Sequence, residues 1–144
     1  MVMAELSNYD TEYFLFLEGG FIAINQADED AAVKLFKACE LLRPENILYK
    51  VGMGYLHLHK LELKTAIQYF EEALQKEPNN EMAKTFLGIA MTLTPDQVTK
   101  GEKILEQAVS GTQDAQIKQV IQTSLDFVEN YVKKPGAQAR PANK

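Results

Sequence analysis

Residues 47–80 read ILYKVGMGYLHLHKLELKTAIQYFEEALQKEPNN, and this stretch decides the fold. In its second half Ala66, Phe70, Ala73 and Leu74 recur at helical spacing, while Lys64, Gln68, Glu71, Glu72 and Gln75 fill the other face. Pro78 stops that helix because it has no N–H to give, and Asn79 or Asn80 is placed to cap the next one. The stretch therefore reads as two amphipathic helices joined by a tight turn. The same frame appears upstream as Ala32, Phe36, Cys39 and Pro44, the counterparts of Ala66, Phe70, Ala73 and Pro78 at one constant offset of 34. Downstream, AIQYFEEAL at 66–74 becomes GEKILEQAV at 101–109, an offset of 35, so the third copy carries one extra residue in its turn. Three successive copies of one helix pair predict an all-α chain.

Composition bounds what such a chain can be. With 144 residues and 46% hydrophobic content it is long enough to bury a core without metals or disulfides, and residues 1–133 are expected to form a single domain. One cysteine rules out an internal disulfide, and Cys39 falls where the central copy has Ala73, the place of a small core residue. The start, MVMAELSNYD, lacks the basic residues and apolar run of a signal peptide, and no stretch approaches a membrane span; a cytoplasmic protein is expected. The net charge is −5, but residues 133–144 hold four of the 15 basic residues and no acid, which leaves 11 basic against 20 acidic, or −9, in the rest. Nucleic acid is thus excluded as a partner. Residues 134–144, with two prolines and a glycine, read as a disordered tail.

Taken in order, a first helix is expected over about 11–26, capped by Ser7 or Asp10, and a second from Asp28 and Asp30 to about Leu42. The central pair covers about 46–59 and 62–76, and a fifth helix about 80–93. Thr94-Pro95-Asp96-Gln97 opens a sixth with a threonine cap and a proline in the first turn, and Gly111 closes it. A seventh over about 113–133 carries Ile117, Val120, Ile121, Leu125, Val128 and Val132 as an apolar stripe and shows lysines, glutamines and acids to water.

Residues with chemistry are few. His57 and His59 stand about 200° apart around a helix and cannot hold one metal from it. Gly19-Gly20 has no phosphate-loop context and reads as close helix packing. Asp28, Glu29 and Asp30 suit the positive end of a helix dipole. No catalytic residue, metal site or cofactor is expected, and the chain does not read as an enzyme.

The sequence resembles the tetratricopeptide-repeat family, in which one helix pair recurs at this same offset. The resemblance covers roughly 13–110 and rests on Gly20, Gly54 and Gly88 at the small-residue position of each first helix and Ala32, Ala66 and Gly101 at that of each second. It implies a superhelix of three helix-turn-helix repeats, at about 13–46, 47–80 and 81–111, closed by a capping helix at about 113–133. It also implies a concave wall lined by the first helices, here Phe14, Leu17, Phe21 and Ile24, then Leu48, Val51, Tyr55 and Leu58, then Met82, Thr85, Ile89 and Thr92. Ten of these twelve are apolar or aromatic. Repeats that clamp acidic chaperone tails place basic residues and asparagine on that wall; here Leu17, Phe21, Gly52, Met82 and Phe86 stand there instead, so an amphipathic helix is the expected ligand.

A small acidic repeat protein with an apolar groove is similar to the chaperones of bacterial type III secretion systems, and its length is nearest to the branch that holds the needle subunit. In that branch the groove takes the amphipathic C-terminal helix of the secreted subunit, blocking premature polymerisation, while a small helical co-chaperone packs on the first repeat. Phe14, Leu17 and Phe21 are then candidates for either contact. Three other readings stay open at this point: a translocator chaperone of the same systems, an adaptor unrelated to secretion, and a regulatory module that would continue into a catalytic domain.

Overall fold

The computed structural model describes residues 2–133, with side chains from residue 11 onward, so the expectation of a disordered tail at 134–144 lies outside the described residues. Among the described residues the chain is all-α. Seven α-helices follow one another: α1 (Val2–Asn25), α2 (Glu29–Leu42), α3 (Leu48–His59), α4 (Leu63–Lys76), α5 (Glu81–Thr92), α6 (Val98–Gly111) and α7 (Ala115–Phe127). A 3₁₀ turn at Pro95–Gln97 precedes α6, and a π-helical turn at Val128–Val132 extends α7. Tertiary contacts group the helices into two compact units, where the sequence suggests one domain, and the boundary falls between Pro78 and Asn79. No helix among the described residues is long and apolar enough to cross a membrane.

In the first unit α1 pairs with α2 and α3 with α4. The α1 helix starts well before the expected residue 11 and runs straight through Ser7 and Asp10, which therefore do not cap it. No glycine or proline interrupts residues 2–18, so nothing local stops the helix from extending. Both pairs turn the chain in the same way. Ala27 (φ 59°) and Leu61 (φ 58°), at equivalent places in successive copies, adopt the left-handed conformation. After each, the next N–H reaches back to a carbonyl near the end of the preceding helix, Asp28 to Ala23 at 2.8 Å and Glu62 to His57 at 2.9 Å. This is a Schellman closure, with alanine and leucine where glycine is usual.

The core of this unit is built on glycines opposed by rings. Phe36 of α2 lies between Gly20 of α1 and Gly52 of α3, and Phe70 of α4 lies against Gly54 of α3, so close that none of the three glycines has room for a Cβ. Ala32, Cys39, Ala66 and Ala73 fill the rest of these seams and are buried. The Cys39 thiol donates to the Tyr13 carbonyl at 3.6 Å, and burial pushes its pKa up to about 11, as befits an inert core thiol. Lys50 meets Glu72 at 3.4 Å, and Lys60 meets Glu29 at 2.7 Å, tying α3 to α4 and to α2.

In the second unit α5 and α6 repeat the pattern with Leu105 in the place of the phenylalanine, against Gly88. Gly101 lets the backbones touch: a Cβ there would stand 2.7 Å from the Thr92 nitrogen. Asn80 caps α5 by accepting from the Ala83 N–H at 2.9 Å, and Asp114 caps α7 by accepting from Gln116 at 2.8 Å. Thr94 does not cap α6. Its hydroxyl turns back to the Ala90 carbonyl at 2.9 Å, and Pro95-Asp96-Gln97 make the 3₁₀ turn before α6 begins at Val98. The cause is Pro95, which occupies in the third copy the place that Leu61 holds in the second. Proline cannot take a positive φ, so the Schellman turn of the first two pairs is closed to it, and the extra residue of the third copy is used in a different turn. The α7 helix packs on both α5 and α6, burying Ile121 and, just beyond, Val128. Lys133 holds the far end against Glu102 at 2.8 Å.

Candidate functional site

The first helices of the pairs carry the surface of interest. The twelve wall residues expected from sequence, four on each of these helices, fall into two rows that behave differently. Phe14 and Phe21, Leu48 and Tyr55, Met82 and Ile89 keep part of their surface open, and Phe14 is 55% exposed. Leu17, Ile24, Val51, Thr85 and Thr92 are buried, Val51 to 0% exposure, and belong to the packed interior instead of the wall; Leu58 is intermediate. Three residues turn a helix through about 300°, so the second row lies about 60° from the first, on the side of the neighbouring helices. The buried threonines satisfy themselves on their own helix, Thr85 donating to the Glu81 carbonyl at 2.8 Å and Thr92 to that of Ile89 at 2.7 Å.

The place of the buried row is taken by residues one turn past the open ones, namely Glu18 and Asn25 on α1, His59 on α3, and Phe86 and Leu93 on α5. The spacing i, i+4 from Phe14, Tyr55 and Met82 is the sequence signal for them.

In the first unit the open row forms an aromatic ladder across α1 and α3. Phe21 meets Phe36 edge-on at 5.5 Å and Tyr55 at 5.5 Å, and Tyr55 meets the His59 ring at 4.4 Å. The Tyr55 hydroxyl donates to Asn25 Oδ1 at 3.2 Å, which holds the ring across the gap between the helices. His57 points elsewhere, stacking on Tyr69 at 5.6 Å and meeting Glu62 at 2.5 Å, so the two histidines serve different neighbours. A preformed, half-buried aromatic surface of this kind offers large contact area at little cost in side-chain entropy.

In the second unit α5 and α7 enclose a cleft of about 200 Å³ lined by Met82, Thr85, Phe86, Gln116, Ile117 and Val120. None of these residues is charged. Its volume suits one large apolar side chain. The contribution of α7 departs from the expectation of a plain cap: Val120, placed in the apolar stripe by sequence, faces outward, as does Phe127.

Among the described residues of the first unit, one buried side-chain polar atom stands out. The Tyr13 hydroxyl, on a residue 1% exposed, lies near the Tyr49 backbone but makes no hydrogen bond of good geometry. Desolvation, helped by Cys39 beside it, raises its pKa above the usual tyrosine value. Among the described residues no group of three or more histidine, cysteine or acidic side chains is placed to hold a metal ion. Compared with known protein families and with curated proteins, the sequence matches no family model and no curated protein.

Proposed function

We propose that this chain is a tetratricopeptide-repeat protein that binds an amphipathic helix, and that it acts as a cytoplasmic, non-enzymatic chaperone. The repeat reading is supported by features that recur at the family's period. These are the left-handed turn residues Ala27 and Leu61, and the contacts Gly20–Phe36, Gly54–Phe70 and Gly88–Leu105. The observation that carries the binding reading is the apolar row on the first helices, in which Phe14 is exposed and Phe21, Leu48 and Tyr55 pack on the core while keeping part of their surface open. Apolar surface left open on one face is what a helix-in-groove binder presents.

Of the proteins that use such a surface, the needle-subunit chaperones of type III secretion are the reading we favour. The amphipathic helix of the secreted subunit would lie on the open row and be kept from polymerising, with a small helical co-chaperone on α1. Affinity purification from the native host, followed by mass spectrometry of small co-purifying proteins, tests this. The expected result is a short, self-polymerising helical protein that is lost when Tyr55 is replaced by glutamate. Recovery of no such protein, or its undiminished recovery with Tyr55→Glu, would sink the proposal.

A further inference from the structure

Between Tyr13 and Ile24 the α1 helix reads YFLFLEGGFIAI, and Glu18 is its one charged residue. Residues three and four apart are neighbours on a helix, so Glu18 is bracketed by Phe14 and Leu15 one turn before it and by Phe21 and Ile22 one turn after. All four are large and apolar. Phe14, Leu15 and Ile22 are 55%, 60% and 48% exposed, Phe21 is half-buried, and Glu18 itself is exposed. Among the described residues no cation pairs with Glu18. Elsewhere in the same unit Glu29 has such a partner in Lys60, and the half-buried Glu72 has Lys50.

We infer that the exposed face of α1 docks an amphipathic helix that carries a lysine or arginine in the middle of its apolar face, set to pair with Glu18. The inference rests on the reading of α1 as a docking surface and adds the chemistry of what docks there. Covering the four apolar side chains necessarily strips water from the carboxylate between them. A desolvated carboxylate without a counter-charge opposes binding strongly, whereas a cation delivered by the partner converts it into a charge-assisted hydrogen bond. Charge complementarity also argues against other occupants. A second copy of the chain, packed symmetrically on this face, would bring two Glu18 carboxylates together, and an anionic lipid surface would meet the same repulsion. A single charge in an apolar face fixes register and orientation, because a shifted helix buries both charges unpaired.

The test uses the full chain and three synthetic amphipathic helices that share one leucine-rich face and differ only at its centre, which is lysine, norleucine or glutamate. Binding is read by fluorescence anisotropy at low and high salt. The lysine helix should bind the wild type at least about ten-fold more tightly than the norleucine helix, and the glutamate helix should bind least, with the preference shrinking in salt. Glu18→Gln should erase the preference for lysine and Glu18→Lys should invert it, while circular dichroism stays unchanged because Glu18 is exposed. If Glu18→Gln leaves the ranking intact, or norleucine binds as tightly as lysine, the pairing is wrong although the docking surface stands. If Leu15→Asp and Ile22→Asp alter the binding of no helix, or no helix binds the wild type, the docking surface itself falls and the pairing with it.

Discussion

Phe70 fills the space in which Gly54 would carry a side chain: a Cβ on Gly54 would stand 2.5 Å from Phe70 Cε1. The ring belongs to α4 and is fully buried, so it has nowhere to retreat. Gly54→Ala should therefore destabilise the protein by about 1–3 kcal/mol, in the range of overpacked cores. Gly111, the last residue of α6, has nothing within 4 Å of a Cβ, and Gly111→Ala should be stabilising by about 0.4–1 kcal/mol. Urea unfolding of both variants checks the contrast, and equal effects would mean that the ring does not constrain the glycine.

Leu61 holds a positive φ of 58° on a side chain that is 71% exposed, so a glycine there would lose almost no burial. The left-handed conformation costs an L-residue roughly 1–2 kcal/mol, and glycine's extra freedom in the unfolded chain returns about half of that. Leu61→Gly is expected to raise stability by about 0.5–1 kcal/mol, and thermal melts should show a higher Tm. Leu61→Val, branched at Cβ, should melt lower than the wild type.

Tyr13→Phe removes a buried hydroxyl that lies near the Tyr49 backbone without a hydrogen bond of good geometry. Losing an unsatisfied polar atom without changing the shape of the ring is expected to stabilise by roughly 1 kcal/mol. A loss of stability in denaturant titration would reveal a bond that this hydroxyl makes.

Glu62 accepts from His57 and from Lys60, and these contacts, the histidine first, hold its carboxyl below the ordinary 4.5. A depressed acid contributes stability above its unfolded pKa and loses it as the pH falls through the lower folded value. The Tm difference between wild type and Glu62→Gln should therefore be present at neutral pH and close as the solution is acidified below about 4.5. A difference that stays constant through that window would detach Glu62 from the pair.

The two rows on α3 separate by mutation. Val51→Glu places a charge at 0% exposure and should cost several kcal/mol, enough to unfold the chain, as should Phe70→Glu. Tyr55→Glu and Leu48→Glu, on the open row, should leave the circular dichroism spectrum native while removing partner binding. Unfolding of the Tyr55 variant would place that row in the core as well.

Much of this architecture can be read from local signals. The repeating frame, the glycines facing Phe36 and Phe70, and the caps at Asp28 and Asn80 follow from side-chain size, helical period and short-range hydrogen bonding, all of which act within a few residues. The start of α1 is misread from local signals because Ser7 and Asp10 resemble caps, yet a helix with no breaker runs through them. The deeper gap concerns the wall. On α1 and α3 nearly every face is apolar, so the sequence alone cannot say which row is core: Leu17 and Val51 look as fit for the surface as Phe14 and Leu48. Only packing decides, because the neighbouring helices cover one row and leave the other, about 60° away, uncovered. The same holds for Val120 facing the cleft beside Met82, for the buried Tyr13 hydroxyl and for the apolar ring around Glu18. Helical period determines which residues share a face, whereas which face meets water depends on helices distant in sequence.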